Sequence, residues 1–412
     1  MKRIGNIFPK VVEYENFLLA DHNARKNKKH YTEIHNHDKN KEENLHKLQE
    51  SVVTLTYKTS EYFIFKIYEP KEREIYKLPY YPDRIMHHAL MNCLEPIWEK
   101  VFIYNSYACR KNKGIHAAVK DLKKVLRRDK EGTKYCLKLD IRKFYPSIDH
   151  DILKRILRIK IKDEKLLVVL DEIINSAKGV PIGNYLSQYL ANLYLTCFDH
   201  WLKEKKKVKY YFRYADDMVI LHSSKKFLRN LLKDIIEYLN INLKLELKRN
   251  YQIFPVDSRS IDFVGYRFYH SHTLLRKSIK KKMVRVSRKL NKTNRRREYV
   301  RRKLSSYFGW LKHCNSINFS KKYFSRLTDR YRLPMPEKFV SKKNIISNII
   351  NRKIIFVDYK RYDRYFKLYF VMNDIQSVIS HSSALYANFV KHNFSQGTKI
   401  KIKKVKNKYI IL

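Results

Sequence analysis

The stretch YYFRYADDMVILH (residues 210–222) sets two adjacent aspartates, Asp216 and Asp217, between an aromatic run and four apolar residues. This pattern predicts a β-hairpin with the acids at its tip. A carboxylate placed among strand residues loses solvation, which is costly unless a cation compensates it. A polar turn is the plain reading of an Asp-Asp pair, and a second acid shifts the balance. In KYCLKLDIRKFYPSIDHDILKRILRIKI (134–161) a predicted strand ends at Asp140, followed by a turn and a helix capped near Ser147 or Asp149. If the two strands are neighbours in an antiparallel sheet, the carboxylates of Asp140 and Asp216 converge. Converging carboxylates repel and protonate unless divalent cations hold them. Mg²⁺ takes a few carboxylates plus phosphate oxygens, so such a site is completed by a polyphosphate. A two-metal site of this kind activates an attacking hydroxyl and stabilises a departing pyrophosphate.

Charge points the same way. The 412 residues hold 89 Lys and Arg against 40 Asp and Glu, a net +49, which calls for a polyanionic partner. Drift toward Lys, Ile, Asn and Tyr is the plain alternative, but acids are scarce as well. A hydrophobic content of 44% excludes a disordered basic tail. Five cysteines without CxxC spacing argue against a zinc site or disulfide framework and for a reducing cytoplasm. No apolar run reaches membrane-spanning length and the N-terminus lacks a signal-like core, so a cytoplasmic protein without membrane contact is expected.

Working outward, residues 27–44 (NKKHYTEIHNHDKNKEEN) read as a solvated linker, and their histidines as solvated rather than metal-bound. YFIFKIYEPKEREIYKLP (62–79) alternates like a two-stranded hairpin, and DRIMHHALMNCLEPIWEKVF (83–102) is helical, with Ile85, Ala89, Cys93 and Ile97 on one face. After the Gly/Pro loop at 179–183, a helix carries Leu186, Leu190, Leu193, Cys197 and Trp201 along one stripe. SIDFVGYRFYH (260–270) is a strand pair. Residues 275–324 are helical and densely basic, their charge interrupted by the turn-bounded apolar segment 305–315, and the prolines of YRLPMPEKF (331–339) mark a boundary. The last stretch is β-like and ends in the alternating KIKIKKVKNKYIIL (399–412).

YADD (214–217) between apolar runs resembles the catalytic motif of reverse transcriptases, and four further motifs follow that family's order. LDIRKFYPSI (139–148) is similar to the strand carrying the first aspartate, and GVPIGNYLSQ (179–188) to the loop and helix under template and nucleotide. LKLELKRNYQ (243–252) resembles the motif whose lysine approaches the triphosphate, and IDFVGYRF (261–268) the hairpin that grips the primer. YYPDRIMHHALMN (80–92), NSYACRKNKGIHAAV (105–119), IGNYLSQ (182–188) and SSYFGWLKHCNS (305–316) resemble the reverse transcriptases of diversity-generating retroelements. Those are related to group II intron-like and defence-associated bacterial enzymes. Ile182 stands before Gly183 where most reverse transcriptases carry glutamine. The tail around SSALYANFVKHN (382–393) also resembles that group.

The resemblance implies an α+β right-hand polymerase fold. Its parts are an N-terminal segment (1–60), fingers (61–135), a palm with an antiparallel sheet (136–270), a helical thumb (271–335) and a β-rich extension (336–412). It implies two Mg²⁺ ions, with Mn²⁺ able to substitute, held by Asp140, Asp216, Asp217 and the carbonyl of Ile141. Arg73, Lys77, Lys143, Phe144, Tyr145, Ile182, Gly183 and Lys248 are expected at the nucleotide. Of these, Tyr145 screens the ribose 2′ position, with a core tyrosine as the plain alternative. Arg84, Tyr214, Gly265, Tyr266 and Lys312 are expected at template or primer, although Arg84 could equally be a surface residue paired with Asp83. Trp310 reads as thumb core.

The function implied is RNA-directed DNA polymerisation from dNTPs on a structured template RNA, yielding cDNA within an RNA–DNA duplex and error-prone at template adenines. Partners would be a small basic accessory protein or a dedicated noncoding RNA. Antiphage synthesis of DNA from the protein's own noncoding RNA is the alternative, differing in partners rather than in active site. A catalytically silent nucleic-acid scaffold is disfavoured because all three aspartates are present.

Overall fold

Helices fill the N-terminal part: α1 (Phe8–Val11), α2 (Tyr14–Ala24), α3 (Thr32–Lys39) and α4 (Lys41–Val53). The computed structural model describes residues 3–28, 30–68 and 72–335 and, within 353–411, the backbone of five strands. Residues 27–44 are thus largely helical, not a solvated linker. Ile34 and His37, one turn apart, are buried, and Leu45, Leu48 and Val52 continue the inward face. Charged residues outnumber these inward positions, which hides the helical period from a composition reading.

Strands β1 (Phe63–Ile67) and β2 (Arg73–Lys77) form the expected antiparallel hairpin, with Phe63 opposite Lys77. After a π-turn at Tyr80–Arg84 comes α5 (Ile85–Glu99). Of the expected face Ile85 and Ala89 are buried and Cys93 and Ile97 half-buried, while Met86, His87, Leu90, Met91, Leu94 and Trp98 are inside as well. Both α2 and the later helix Tyr185–Tyr194 pack on it. Next come α6 (Ile115–Arg128), β3 (Tyr135–Asp140), α7 (His150–Lys160) and α8 (Glu164–Asn175). Asp149 caps α7, its carboxylate accepting from the Ile152 amide at 3.0 Å and satisfying a donor the helix start leaves open.

The predicted long stripe after residue 184 is split at Leu195 into α9 (Tyr185–Tyr194) and α10 (Thr196–His200). Then β4 (Tyr210–Tyr214) and β5 (Asp217–His222) make the hairpin of the opening stretch, followed by α11 (Lys225–Leu243) and β6 (Gln252–Pro255). One four-stranded antiparallel sheet results, in the order β4-β5-β3-β6. β3 is central, and Cys136, Leu137 and Leu139 on its two faces are buried. The register sets Asp140 opposite Asp217 and Lys138 opposite Val219.

A three-stranded sheet follows from β7 (Ile261–Phe263), β8 (Tyr266–Phe268) and β9 (Thr273–Leu275). Val264 and Gly265 both have positive φ, 43° and 85°, as a tight two-residue hairpin turn of matching twist requires.

The first compact unit ends at Lys282 and the second begins at Met283, inside α12 (Lys277–Lys292). In the second unit, α13 (Arg297–Leu311) and α14 (Ile317–Arg330) bury Val300, Leu304, Leu311, Phe324 and Leu327. The apolar segment expected to interrupt the basic helices lies in α13 as far as Leu311, because Leu304 and Leu311 fall on one helical face. Trp310 is half-buried, and Arg301, Arg302 and Lys303 are exposed. The β-like tail comprises β10 (Lys353–Tyr362), β11 (Tyr365–Met372), β12 (Ile375–His381), β13 (Lys399–Val405) and β14 (Lys408–Ile411), antiparallel in the order β12-β11-β10-β13-β14. The motif at 382–393 lies outside the described residues. The chain is α+β, as the sequence predicts. Among the described residues no helix is long and apolar enough to cross a membrane.

Candidate active site

The C-terminal end of β3 and the tip of the β4–β5 hairpin meet at one end of the four-stranded sheet. Two backbone contacts fix the meeting. The Ile141 amide donates to the Asp216 carbonyl at 3.3 Å, and the Lys248 amide donates to the Asp140 carbonyl at 2.8 Å. Ile141 is fully buried and bridges to Leu247, which zips residues 140–142 against 246–248. The zip delivers the Lys248 ammonium to the carboxylate of Asp140 as an ion pair.

Asp216 meets Asp140 side chain to side chain. Burial first, and then the negative charge of Asp140, push the Asp216 carboxyl above its ordinary range. Such a pair is short of positive charge and rich in hard oxygen donors, and that donor set fits Mg²⁺.

Asp217 departs from expectation. Among the described residues no group of three or more acidic, histidine or cysteine side chains is drawn together around one point. Asp217 is ion-paired with Lys138 instead. The reason lies in the register: Asp217 sits across from Asp140, and Lys138, two residues earlier on β3, shares that face and is its diagonal neighbour. Burial pulls the Lys138 ammonium down to about 8.

Around the pair, Tyr145 opens a short turn (Tyr145–Ser147), is half-buried, and lies within electrostatic reach of Asp216 and Tyr214. Its hydroxyl is pushed up chiefly by burial. Phe144 is buried and braces it edge-on, with ring centroids 5.4 Å apart. Lys143 is exposed, at a left-handed φ of 42°. Tyr214 is half-buried.

The Ile182–Gly183 loop meets the β1–β2 hairpin. The Ile182 carbonyl accepts from the Tyr76 amide at 2.8 Å. Gly183 (φ 132°) leaves room for the Tyr76 carbonyl, which would stand 2.7 Å from a Cβ. Arg73 on that hairpin is exposed, whereas Lys77 is ion-paired with Glu33.

Two further expectations need correction. Asp83 is not Arg84's partner: it is fully buried and accepts from the Tyr57 hydroxyl at 2.8 Å and the Ser60 amide at 3.1 Å. Arg84 is half-buried, its charge disfavoured by that burial. Tyr266, expected at template or primer, is buried instead. The period-2 alternation of β8 turns Tyr266 and Phe268 inward, both with no exposure, and turns Arg267 out. Gly265, in the turn, is buried too, its carbonyl accepting from the Arg276 amide at 2.9 Å. Lys312 follows α13 in the second unit and is exposed. Lys138 and the fully buried Arg213 stand beside the acids and escape a sequence reading, since each looks like an ordinary basic residue in a strand.

Residues 70–268 match the family model described as reverse transcriptase (RNA-dependent DNA polymerase). Protein YkfC of Escherichia coli K12 is 25% identical over 249 residues, covering 49% of this chain and 65% of that protein. The group II intron-encoded protein LtrA of Lactococcus lactis is 29% identical over 140 residues, covering 31% of this chain and 23% of its own length. The retron Ec73 reverse transcriptase of Escherichia coli is 26% identical over 273 residues, covering 60% and 83%. Among solved structures, a telomerase from Candida albicans in complex with a fragment of telomeric RNA aligns with a TM-score of 0.41 at 12% identity, covering 56% of this chain and 51% of that one. Over residues 70–268 the chain therefore carries a domain that matches the reverse transcriptase family, homologous to group II intron-encoded proteins and to a retron reverse transcriptase.

Proposed function

We propose that the chain is an RNA-directed DNA polymerase that extends a primer along an RNA template, with Asp140 and Asp216 as its catalytic carboxylates. The observation that carries this reading is the meeting of the end of β3 with the hairpin tip, which brings Asp140, paired with Lys248, beside Asp216. Two Mg²⁺ ions, or Mn²⁺ in their place, would be held by Asp140, Asp216 and the Ile141 carbonyl. Asp217 would join only on exchanging Lys138. When bound, the ions make the primer hydroxyl a better nucleophile and stabilise charge on the phosphoryl oxygens.

The chain's own groups do the rest. Lys248 neutralises charge beside Asp140, Tyr145 walls the sugar side, and Gly183 allows the hairpin carrying Arg73 and Lys77 to close on the triphosphate. Lys143 and Phe144 complete the nucleotide side. We assign residues 61–135 to fingers, 136–270 to palm, 271–335 to a thumb whose exposed Arg and Lys grip the duplex backbone, and 336–412 to an extension. Arg84, Tyr214, the hairpin containing Gly265, and Lys312 serve template and primer. Five free cysteines favour a cytoplasmic setting. The test is extension of a DNA primer on an RNA template by the purified protein. Dependence on added Mg²⁺ and loss with chelator are expected, and a folded protein inert on every template would refute the reading.

For the biological role, the motifs favour a diversity-generating element working with an accessory protein. The retron likeness favours a second reading, DNA made from a dedicated noncoding RNA in phage defence. Ile182 separates them. Isoleucine offers packing where glutamine would offer a hydrogen bond worth about 0.5–1.5 kcal/mol. Ile182→Gln should therefore lower misincorporation opposite template adenine several-fold more than opposite other bases when cDNA is sequenced. Identical error spectra would leave Ile182 as an apolar plug and favour the defence role.

A further inference from the structure

We propose that Arg213 is a positioning residue: its guanidinium, clamped by Asp199 and Asn192, holds the hairpin tip that presents Asp216. This deepens the reading of Asp216 as catalytic and rests on it. Arg213 lies in β4 with no exposed surface, and Asp199 of α10 is equally buried. Its Nε donates to Asp199 Oδ1 at 2.8 Å and to Oδ2 at 3.1 Å, and Nη2 donates to Oδ2 at 2.5 Å. The remaining nitrogen, Nη1, donates to Asn192 Oδ1 at 3.1 Å and to the Ala215 carbonyl at 3.2 Å.

That last contact reaches the tip. Ala215 has φ 53°, a left-handed conformation disfavoured for any residue with a Cβ, and it directly precedes Asp216. One guanidinium nitrogen therefore holds the strained peptide next to the catalytic acid. From the other side the Ile141 amide holds the Asp216 carbonyl at 3.3 Å, so the tip is gripped at both ends.

The clamp is itself anchored. Tyr211 donates its hydroxyl to Asp199 Oδ1 at 2.7 Å, and Asn192 Nδ2 donates to the Ala108 carbonyl at 2.8 Å. The Arg213 backbone is tied to the Asn105 carbonyl and the Tyr107 amide, both at 3.0 Å. α9, α10 and the catalytic hairpin thus share one planar cation, and segment 105–108 holds the Arg213 backbone and Asn192 in place. For packing alone, apolar residues of similar volume would serve at least as well as a buried ion pair. What an apolar side chain cannot do is bond the Ala215 carbonyl. Lysine keeps the charge opposite Asp199 but lacks the fork needed to reach Asn192 and Ala215 together.

The experiment uses the full chain with Arg213→Lys and Asn192→Ala. Amide exchange is followed by mass spectrometry in peptides covering 213–218 and 135–140, alongside thermal melting, kcat and KM for dNTP, and duplex affinity. In both variants exchange should quicken at the tip by about tenfold with β3 unaffected. A misplacement that small should lower kcat by roughly tenfold or more while KM and duplex Kd stay within about twofold. Tip exchange within twofold of wild type, or acceleration spread evenly over both peptides with a matching fall in melting temperature, would overturn the role. If Arg213→Lys does not fold, Asn192→Ala, which leaves the ion pair intact, decides. A wild type unable to copy RNA would count against the proposed polymerase, and the exchange data would still decide the clamp.

Discussion

Asp216→Asn should abolish primer extension and at the same time leave the metal-free protein at least as stable as wild type. The loss follows from the pairing. Asparagine keeps the shape but removes the charge that, with Asp140, would hold the metal ions. Removing one preorganised electrostatic contact from a reacting centre costs about 10²–10³ in rate, and a metal ligand should cost no less. The stability half follows from the raised Asp216 carboxyl. Burial and the neighbouring Asp140 both make its ionised form costly in the folded state, so a neutral side chain relieves folding at pH 7. Asp217→Asn should instead lower the stability of the metal-free protein. It strips the half-buried Lys138 of its partner, and losing a charge-assisted contact costs about 1–3 kcal/mol. Single-turnover extension and thermal melting without metal check both substitutions. Extension by Asp216→Asn at a tenth of the wild-type rate would sink the two-carboxylate assignment. A clear drop in its melting temperature would sink the like-charge account. Neither change should weaken RNA binding, which the basic surface supplies.

The parts of this site that local pattern encodes were legible, and those that a distant partner decides were not. Asp140 at a strand end and Asp216 in a hairpin follow from alternation and turn chemistry, and antiparallel pairing brings them together. Lys248 came from a motif, and the backbone zip between 140–142 and 246–248 explains why a lysine there reaches an aspartate. Nothing near Lys138 in sequence says that it pairs with Asp217, because the partner is a diagonal neighbour on another strand. Arg213 is hidden for the same reason: Asp199 and Asn192 come from two helices earlier in the chain. The error over Tyr266 is of another kind. Its inward direction was readable from the alternation of Tyr266, Arg267 and Phe268, and the resemblance to a primer-gripping hairpin overrode it. In residues 27–44 composition hides the helices, since two inward residues, Ile34 and His37, are enough to dock a short helix against a larger core.

Tyr145→Ala should let ribonucleotides compete with deoxynucleotides. A steric screen works only if it cannot move aside, and the surroundings of Tyr145 make it rigid. Its carbonyl accepts from the Val180 amide at 2.9 Å. Gly179 permits that approach, because at its φ of 64° a Cβ would stand 2.5 Å from the Tyr145 carbonyl oxygen. Phe144, itself buried, stands edge-on against the ring. The ring therefore cannot recoil from an added hydroxyl without disturbing the loop at 179–180 or the core beneath Phe144. Overpacking of this sort costs about 1–3 kcal/mol, which at 1.36 kcal/mol per decade is roughly a 5- to 150-fold preference for deoxynucleotides. Alanine removes the obstacle, and discrimination in a competition assay should fall by a factor in that range. Tyr145→Phe should keep it, because the ring and not the hydroxyl is the obstacle. A core tyrosine behaves differently: truncation would cost about 3–5 kcal/mol of stability, as large aromatic deletions do, and leave sugar selection untouched. Ribonucleotide incorporation that does not rise in a folded Tyr145→Ala protein would transfer the screening role to another side chain and return Tyr145 to the core.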